Sequence, residues 1–265
     1  MLLIIAHHHD AEALWLYRTL KEDGVYPVLL LMPEALGIDY SISLHLNNNS
    51  SNQLAIFFYT PEVRVEGDQV KYAINRLSYI DPLVWRRADL IEKAYATNEI
   101  NAFFPALIHS LSCPVSNRIY NGALYGEGGF ASKWAENFHR HGVSVDSLAT
   151  DIPEKIFEKL KGTPTEHVYR LMYFGGEIIS PPMQEPLKNH SDLTECILIN
   201  GGTETLEFIL LKRKDGNAEL LHVSKTPALS VYGELFKKAL FQQLNKSLYD
   251  YTYGNTKRDT LAVTR

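Results

Sequence analysis

Residues 74–145 constrain the fold more than any other stretch. They hold an apolar run ending in Asn75-Arg76, a long helical segment, a short apolar run over 114–117, a glycine-rich turn, a second helical segment and another apolar run. Short apolar runs alternating with helix-length segments predict parallel strands joined by helical crossovers, an α/β domain that handles a nucleotide or small substrate. In open α/β sheets ligands sit beyond the carboxyl ends of the strands. The polar residues at those ends, Asn75, Arg76, Asn117 and Arg118, are therefore the candidate ligand-binding set. Arg at such a position suits a carboxylate or phosphate, because its planar fork donates paired charge-assisted hydrogen bonds. A structural Arg tied to backbone carbonyls fits the same position equally well.

The chain opens with the same grammar. Residues 2–6, LLIIA, form a continuous apolar run suited to a strand buried on both faces. Asp10 is a natural N-cap for the helix AEALWLYRTLKED, Gly24 closes it, and residues 25–32 predict a second strand. His7, His8 and His9 lie between strand and helix. Alternate strand side chains face opposite ways, so His7 and His9 are the pair able to share an ion, with Asp10 as a candidate third ligand. No complementary cluster is visible elsewhere in the sequence. The expectation is a polar strand end lining a cleft, with no metal.

Further along, NNNSSN at 47–52 predicts an exposed loop, and 54–59 and 62–66 predict strands turning through Gly67-Asp68 into 70–75. The helix expected over 83–111 sets Glu99 on or beside an aromatic face with Tyr95, Phe103 and Phe104, and Pro105 should kink or divide it. The glycines at 121–130 precede a helix over 131–141. Backbone N–H groups there could bind phosphate, but without a Walker or GxGxxG pattern they predict a plain loop.

Composition shifts near Asp151, which places a first domain at 1–150 and a second at 151–265. The second is expected to hold a helix at 153–160, a strand at 167–174, a Gly175-Gly176 turn into 177–179, and an irregular connection over 180–191. Residues 193–200 suit either helix or strand. A hairpin follows over 206–213 and 219–223 around Asp215-Gly216, then an amphipathic helix over 231–248 with Leu235, Phe236, Leu240 and Leu244 on one side. The remainder, with alternating Tyr249, Tyr251 and Tyr253, predicts a loose tail, a partner-docking segment or a strand.

Several classes are excluded. A net charge of −5 with no concentration of Lys and Arg argues against nucleic acid, and no run reaches the ~20 apolar residues of a membrane span. The apolar start is too short for a signal peptide. Two cysteines, Cys113 and Cys196, make neither a zinc set nor a disulfide framework, so a reducing, cytoplasmic setting is expected, with Cys113 a buried small hydrophobe. Ser110, Ser112 and Ser116 lie near His109 in sequence, but no G-x-S-x-G elbow exists to support hydrolysis.

The order of these pieces resembles a known family. INRL, ADLIEKAYATNEINAFFPALI, CPVSN and ASKWAENFHRHGVSV resemble the pre-ATP-grasp domain and linker helix of ATP-grasp ligases, particularly those acting on peptides and small metabolites. HVYRLMYFGGEII is similar to the family's strand-turn-strand, and TLEFILLKRKDGNAELLHVSKTPAL to its closing pattern. The resemblance implies an α/β fold: a pre-ATP-grasp-like α/β domain followed by a smaller, shortened α+β ATP-grasp-like domain. It also implies a chemistry in which a carboxylate becomes an acylphosphate and an amine attacks it. That needs Mg²⁺ on carboxylates and an Asn, with Lys and Arg on the phosphates.

By that resemblance the family's metal-binding Glu falls on or beside His222, its Asn on or beside Ser224, and its Asp near Glu207, while Lys225 and Arg170 remain to meet an anion. His and a lone Ser serve a hard dication poorly. The platform is thus degenerate, no cofactor is expected, and no catalytic residue is assigned. The implied role is a non-catalytic companion or binding subunit in peptide or small-metabolite modification. Its partner would be an active ATP-grasp ligase, a peptide or a small molecule, in a homo- or hetero-oligomer. The alternative is an active ATP-dependent carboxylate-amine ligase using Mg·ATP, with Glu204, Glu207 or Glu219 on the metal and Lys212 or Lys225 on the phosphates.

Overall fold

A computed structural model describes residues 1–36, 41–46, 54–59, 64–77, 79–80, 89–119, 130–145, 161, 167–182, 187–202 and 205–262. The loop expected at 47–52, the glycine-rich turn at 121–129 and the helix expected at 153–160 lie outside them. The chain forms two compact units, Met1–Tyr125 with Leu240–Arg265, and Gly126–Ala239. The boundary expected near Asp151 falls inside the second.

In the first unit, Leu2, Leu3, Ile4 and Ile5 have no exposed surface and form β1 (Leu2–Ile5). α1 (Ala11–Asp23) starts where Asp10 Oδ1 accepts the N–H groups of Glu12 and Ala13, both at 3.1 Å. It stops at Gly24, whose φ of +62° lets its N–H reach back to Leu20 O. The chain returns as β2 (Val28–Leu31), parallel to β1, and a 3-10 turn follows at Pro33–Ala35.

β3 (Ser41–Leu46), β4 (Leu54–Tyr59) and β5 (Arg64–Glu66) make a separate three-stranded antiparallel sheet. β3 is an addition to the expected strands, pairing with β4 along its whole length. β6 (Tyr72–Asn75) then enters beside β1, and α2 (Leu90–Ser110) carries the chain to β7 (Val115–Ser116), giving the parallel order β2-β1-β6-β7.

α2 corrects two expectations. Pro105 does not divide it, because buried residues on both sides of the proline, Ile100 and Phe104 before it and Leu107 and Ile108 after it, anchor both halves. The burial of that stripe outweighs the lost backbone donor. The aromatic face is also split: Tyr95 and Glu99 are exposed, while Phe104 is buried and Phe103 partly so.

The second unit centres on a five-stranded sheet of order β10-β9-β11-β12-β8. α3 (Phe130–Arg140) precedes β8 (Ser144–Val145); β9 (Val168–Phe174) turns through Gly175-Gly176 into β10 (Glu177–Ile179). Residues 193–200, undecided from sequence, are helical within α4 (His190–Asn200). β11 (Leu206–Lys212) and β12 (Ala218–Ser224) form the expected hairpin, with a register shift between Ile209 and Leu210.

Period-2 alternation sorts this sheet into two faces. Leu206, Phe208 and Leu210 join the core, where Trp134 and Phe138 of α3 meet Phe208 at ring centroid distances of 4.8 and 5.6 Å. Leu193, Cys196 and Ile197 of α4 complete it. Glu207 and Ile209 point the other way. α5 (Leu229–Ala262) contains Gly233 at φ 49°, ψ −122°, which interrupts its helical path. Phe236, Leu240 and Leu244 are buried as expected, but Leu235 is 44% exposed. The backbone is helical through Tyr249, Tyr251 and Tyr253, so the strand and loose-tail expectations for 249–262 do not hold.

Candidate functional site

The four strand-end residues stand together at the carboxyl ends of β6 and β7, and their polar atoms turn inward. Asn75 Nδ2 donates to Asn117 O at 3.0 Å and Asn117 Nδ2 returns to Asn75 O at 3.3 Å, a reciprocal tie between neighbouring strands. Asn117 holds a left-handed backbone, φ 55°, a conformation Asn tolerates better than most residues. Arg76 is buried and pairs with Asp10 through Nε at 2.7 Å and Nη2 at 3.2 Å. Arg118 Nη2 lies 3.3 Å from Leu111 O and 3.4 Å from Cys113 O, the backbone-carbonyl arrangement.

Asp10 is thereby engaged twice, as helix cap and as the partner of Arg76. The acid beside the histidines is instead Glu34, from the turn after β2. His7 Nδ1 lies 2.6 Å from Glu34 Oε1, and His8 Nδ1 lies 3.3 Å from the same oxygen. Burial alone would raise the Glu34 carboxyl pKa, but hydrogen bonds from His7, its own backbone and His8 outweigh that and hold it below the ordinary value. Both thiols are buried, which pushes Cys113 and Cys196 up to about 11 and leaves neither a nucleophile near neutral pH.

In the second unit, Glu207 sits opposite Ser224, and Ile209 opposite His222, on adjacent strands. Glu207 and His222 thus share a face, clear of the helix-packed core. Glu207 is 3% exposed and surrounded by donors: Arg170 Nη1 at 2.9 Å and Tyr232 OH at 3.1 Å on Oε1, and Ala228 N–H at 3.2 Å on Oε2. Burial, with the charge of Glu207 behind it, drives the Tyr232 hydroxyl pKa up, so it stays a donor. Burial likewise lowers the His222 pKa, which the charge of Glu207 opposes only in part. His222 Nδ1 is buried with no hydrogen-bond partner among the described residues. Ser224 Oγ accepts the Thr226 N–H at 3.1 Å, and Lys225 is 2% exposed.

This arrangement does not fit a magnesium ion. The dication needs near-octahedral oxygen ligands, whereas both Glu207 oxygens already receive donors, a guanidinium stands beside them, and the neighbouring ligand position offers an imidazole. Of the other candidates, Glu219 pairs with Arg213 at 2.8 Å, Lys212 Nζ lies 5.8 Å from the Tyr169 ring centroid, and Glu204 lies outside the described residues.

Sequence reasoning missed Glu34 and Tyr232. Glu34 had a usable signal, since it follows the end of a strand expected to lie beside β1. Tyr232 had none, because its pairing with Glu207 is set by the chain's return 25 residues later.

A parallel four-stranded α/β unit and a second unit with a helix-backed antiparallel hairpin sheet define the class of protein. No protein-family model and no curated protein sequence matches the chain. Solved structures do. The macrocyclase MdnC bound with precursor peptide MdnA, from Microcystis aeruginosa MRC, superposes with a TM-score of 0.65 at 12% identity, covering 93% of this chain and 98% of that one. A RiPP-associated ATP-grasp ligase of Chryseobacterium gregarium, in complex with ADP and a leader and core peptide, gives 0.61 at 9% identity over 94% and 95%. The ATP-grasp ligase PsnB, complexed with minimal precursor, Mg and ADP, gives 0.56 at 10% identity over 91% and 98%. The chain therefore shares its fold with these ATP-grasp ligases. No described helix is long and apolar enough to cross a membrane.

Proposed function

We propose that this chain is a degenerate ATP-grasp-like protein, a non-catalytic companion or binding subunit in peptide modification. The observation that carries the reading is the state of Glu207: Arg170, Tyr232 and the Ala228 N–H occupy its oxygens. The sequence resemblance adds that His222 and Ser224 fall on or beside the positions of the family's other metal ligands. A carboxylate tied to a guanidinium and a phenol serves as a structural strut joining β9, β11 and the start of α5. Peptide as the partner class rests on likeness of fold to ligases solved with precursor peptides. In this reading the unit of residues 1–125 and 240–265 binds, and the unit of residues 126–239 keeps the family's shape with its metal platform eroded. Asn75, Arg76, Asn117 and Arg118, tied to one another, to Asp10 and to backbone carbonyls, shape the strand ends at which a ligand would bind.

Calorimetric titration of the full chain with ATP, with and without Mg²⁺, tests the reading. No Mg²⁺-dependent heat is expected. Tight Mg²⁺-dependent binding, or ADP release on supplying carboxylate and amine substrates, would establish the active carboxylate-amine ligase instead.

A further inference from the structure

The end of β1 carries a group of side chains that the reading above does not use. His7, His9 and Glu34 each present one ligand atom, and these atoms all lie within 4.8 Å of one another. The His7 and His9 rings stack at 5.0 Å with planes 14° apart, and Tyr79 closes over them, 4.6 Å from the His7 ring with its hydroxyl 3.5 Å from His9 Nε2.

Two buried atoms mark the group as more than a polar strand end. His7 is 4% exposed, and its Nε2 has no hydrogen-bond partner among the described residues; the same holds for Glu34 Oε2. His7 Nδ1 and Glu34 Oε1 lie 2.6 Å apart, so the imidazole and the carboxylate already face one another, as two ligands of one ion must. Buried polar atoms are otherwise nearly always paired.

We propose that His7, His9 and Glu34 form a binding site for a divalent transition-metal ion such as Zn²⁺. Two imidazoles and a carboxylate match the ligand preferences of zinc and its neighbours rather than those of magnesium or calcium. A tetrahedral ion with nitrogen ligands holds ligand atoms about 3.3 Å apart. The group must therefore contract by up to ~1.5 Å, which takes rotation of the exposed His9 ring and of the Glu34 carboxylate. Three protein ligands leave a position open for water or a donor atom of a bound molecule. Asp10, the third ligand considered from sequence, is held elsewhere by Arg76 and the helix N-terminus.

The test is titration of chelator-treated, dialysed full-length protein with ZnCl₂ and with MgCl₂, together with the visible spectrum of the Co²⁺ form. One Zn²⁺ per chain is expected, with no Mg²⁺ binding. His9→Ala and Glu34→Gln should each weaken Zn²⁺ binding about 10- to 100-fold, while His190→Ala, an exposed histidine in α4, should leave it unchanged. His9 is exposed, so its truncation leaves the fold intact, which circular dichroism checks. Absence of Zn²⁺ binding at micromolar concentration, or undiminished binding in either the His9 or the Glu34 variant, overturns the proposal.

Discussion

At Gly201 the backbone is ordinary helix, φ −68°, yet a Cβ there would fall 2.4 Å from Cε1 and Cζ of Tyr173. The tyrosine cannot swing away cheaply, since its hydroxyl donates to Gly202 O at 2.8 Å and its ring lies in the core. Gly201→Ala should cost about 1–3 kcal/mol, as overpacking does, read as a lower urea midpoint. A Tyr173→Leu background should return part of that loss. His222 makes a different prediction. Its folded pKa lies below the ordinary 6.5, so above that pH neither state is charged and there is no effect. As pH falls through about 6.5 the unfolded chain takes up the proton first, and stability drops until the folded pKa is reached. His222→Gln should flatten the stability curve on the acid side of neutrality, measured by denaturant unfolding across pH.

At the scale of elements, α1 and α2 start alike and are held differently. Asp89 accepts the N–H groups of Ile91 and Glu92 at 2.8 Å on an exposed surface, so Asp89→Ala should cost only the ~1 kcal/mol of a lost cap. Asp10→Ala also removes a carboxylate partner of the buried Arg76 guanidinium and should cost more, about 3–5 kcal/mol. Asp10→Asn, which keeps the cap and removes the charge, should fall between them in urea unfolding. Much of this level was legible in the sequence: Asp10 and Gly24 marked helix ends, and Asp215-Gly216 between two strand-length runs marked the hairpin. β3 was missed although Ser41, Ile42, Ser43 and Leu44 alternate in polarity, because that short signal runs into the polar residues 47–52. The site was less legible. Partners of Glu207, His7 and Arg76 lie 25, 27 and 66 positions away in the chain, and only the fold pairs them.

For the whole molecule, each unit has its own buried core, one around Leu3, Phe104 and Leu107 and the other around Trp134, Phe208 and Leu220. Calorimetric unfolding should therefore show two transitions, the Gly201→Ala variant lowering one and Asp10→Ala the other. A single transition shifted equally by both would refute this. The second unit is one uninterrupted run of chain, whereas the first is built from residues 1–125 and 240–265. Tyr26 sets its ring 5.4 Å from Phe241 and hydrogen-bonds Asn245, 219 positions further on. A ribosome delivers residues in order, so the unit that begins first is finished last. Until the final helix emerges, the α1–β2 turn waits without its cover, while the later-made hairpin sheet is free to close.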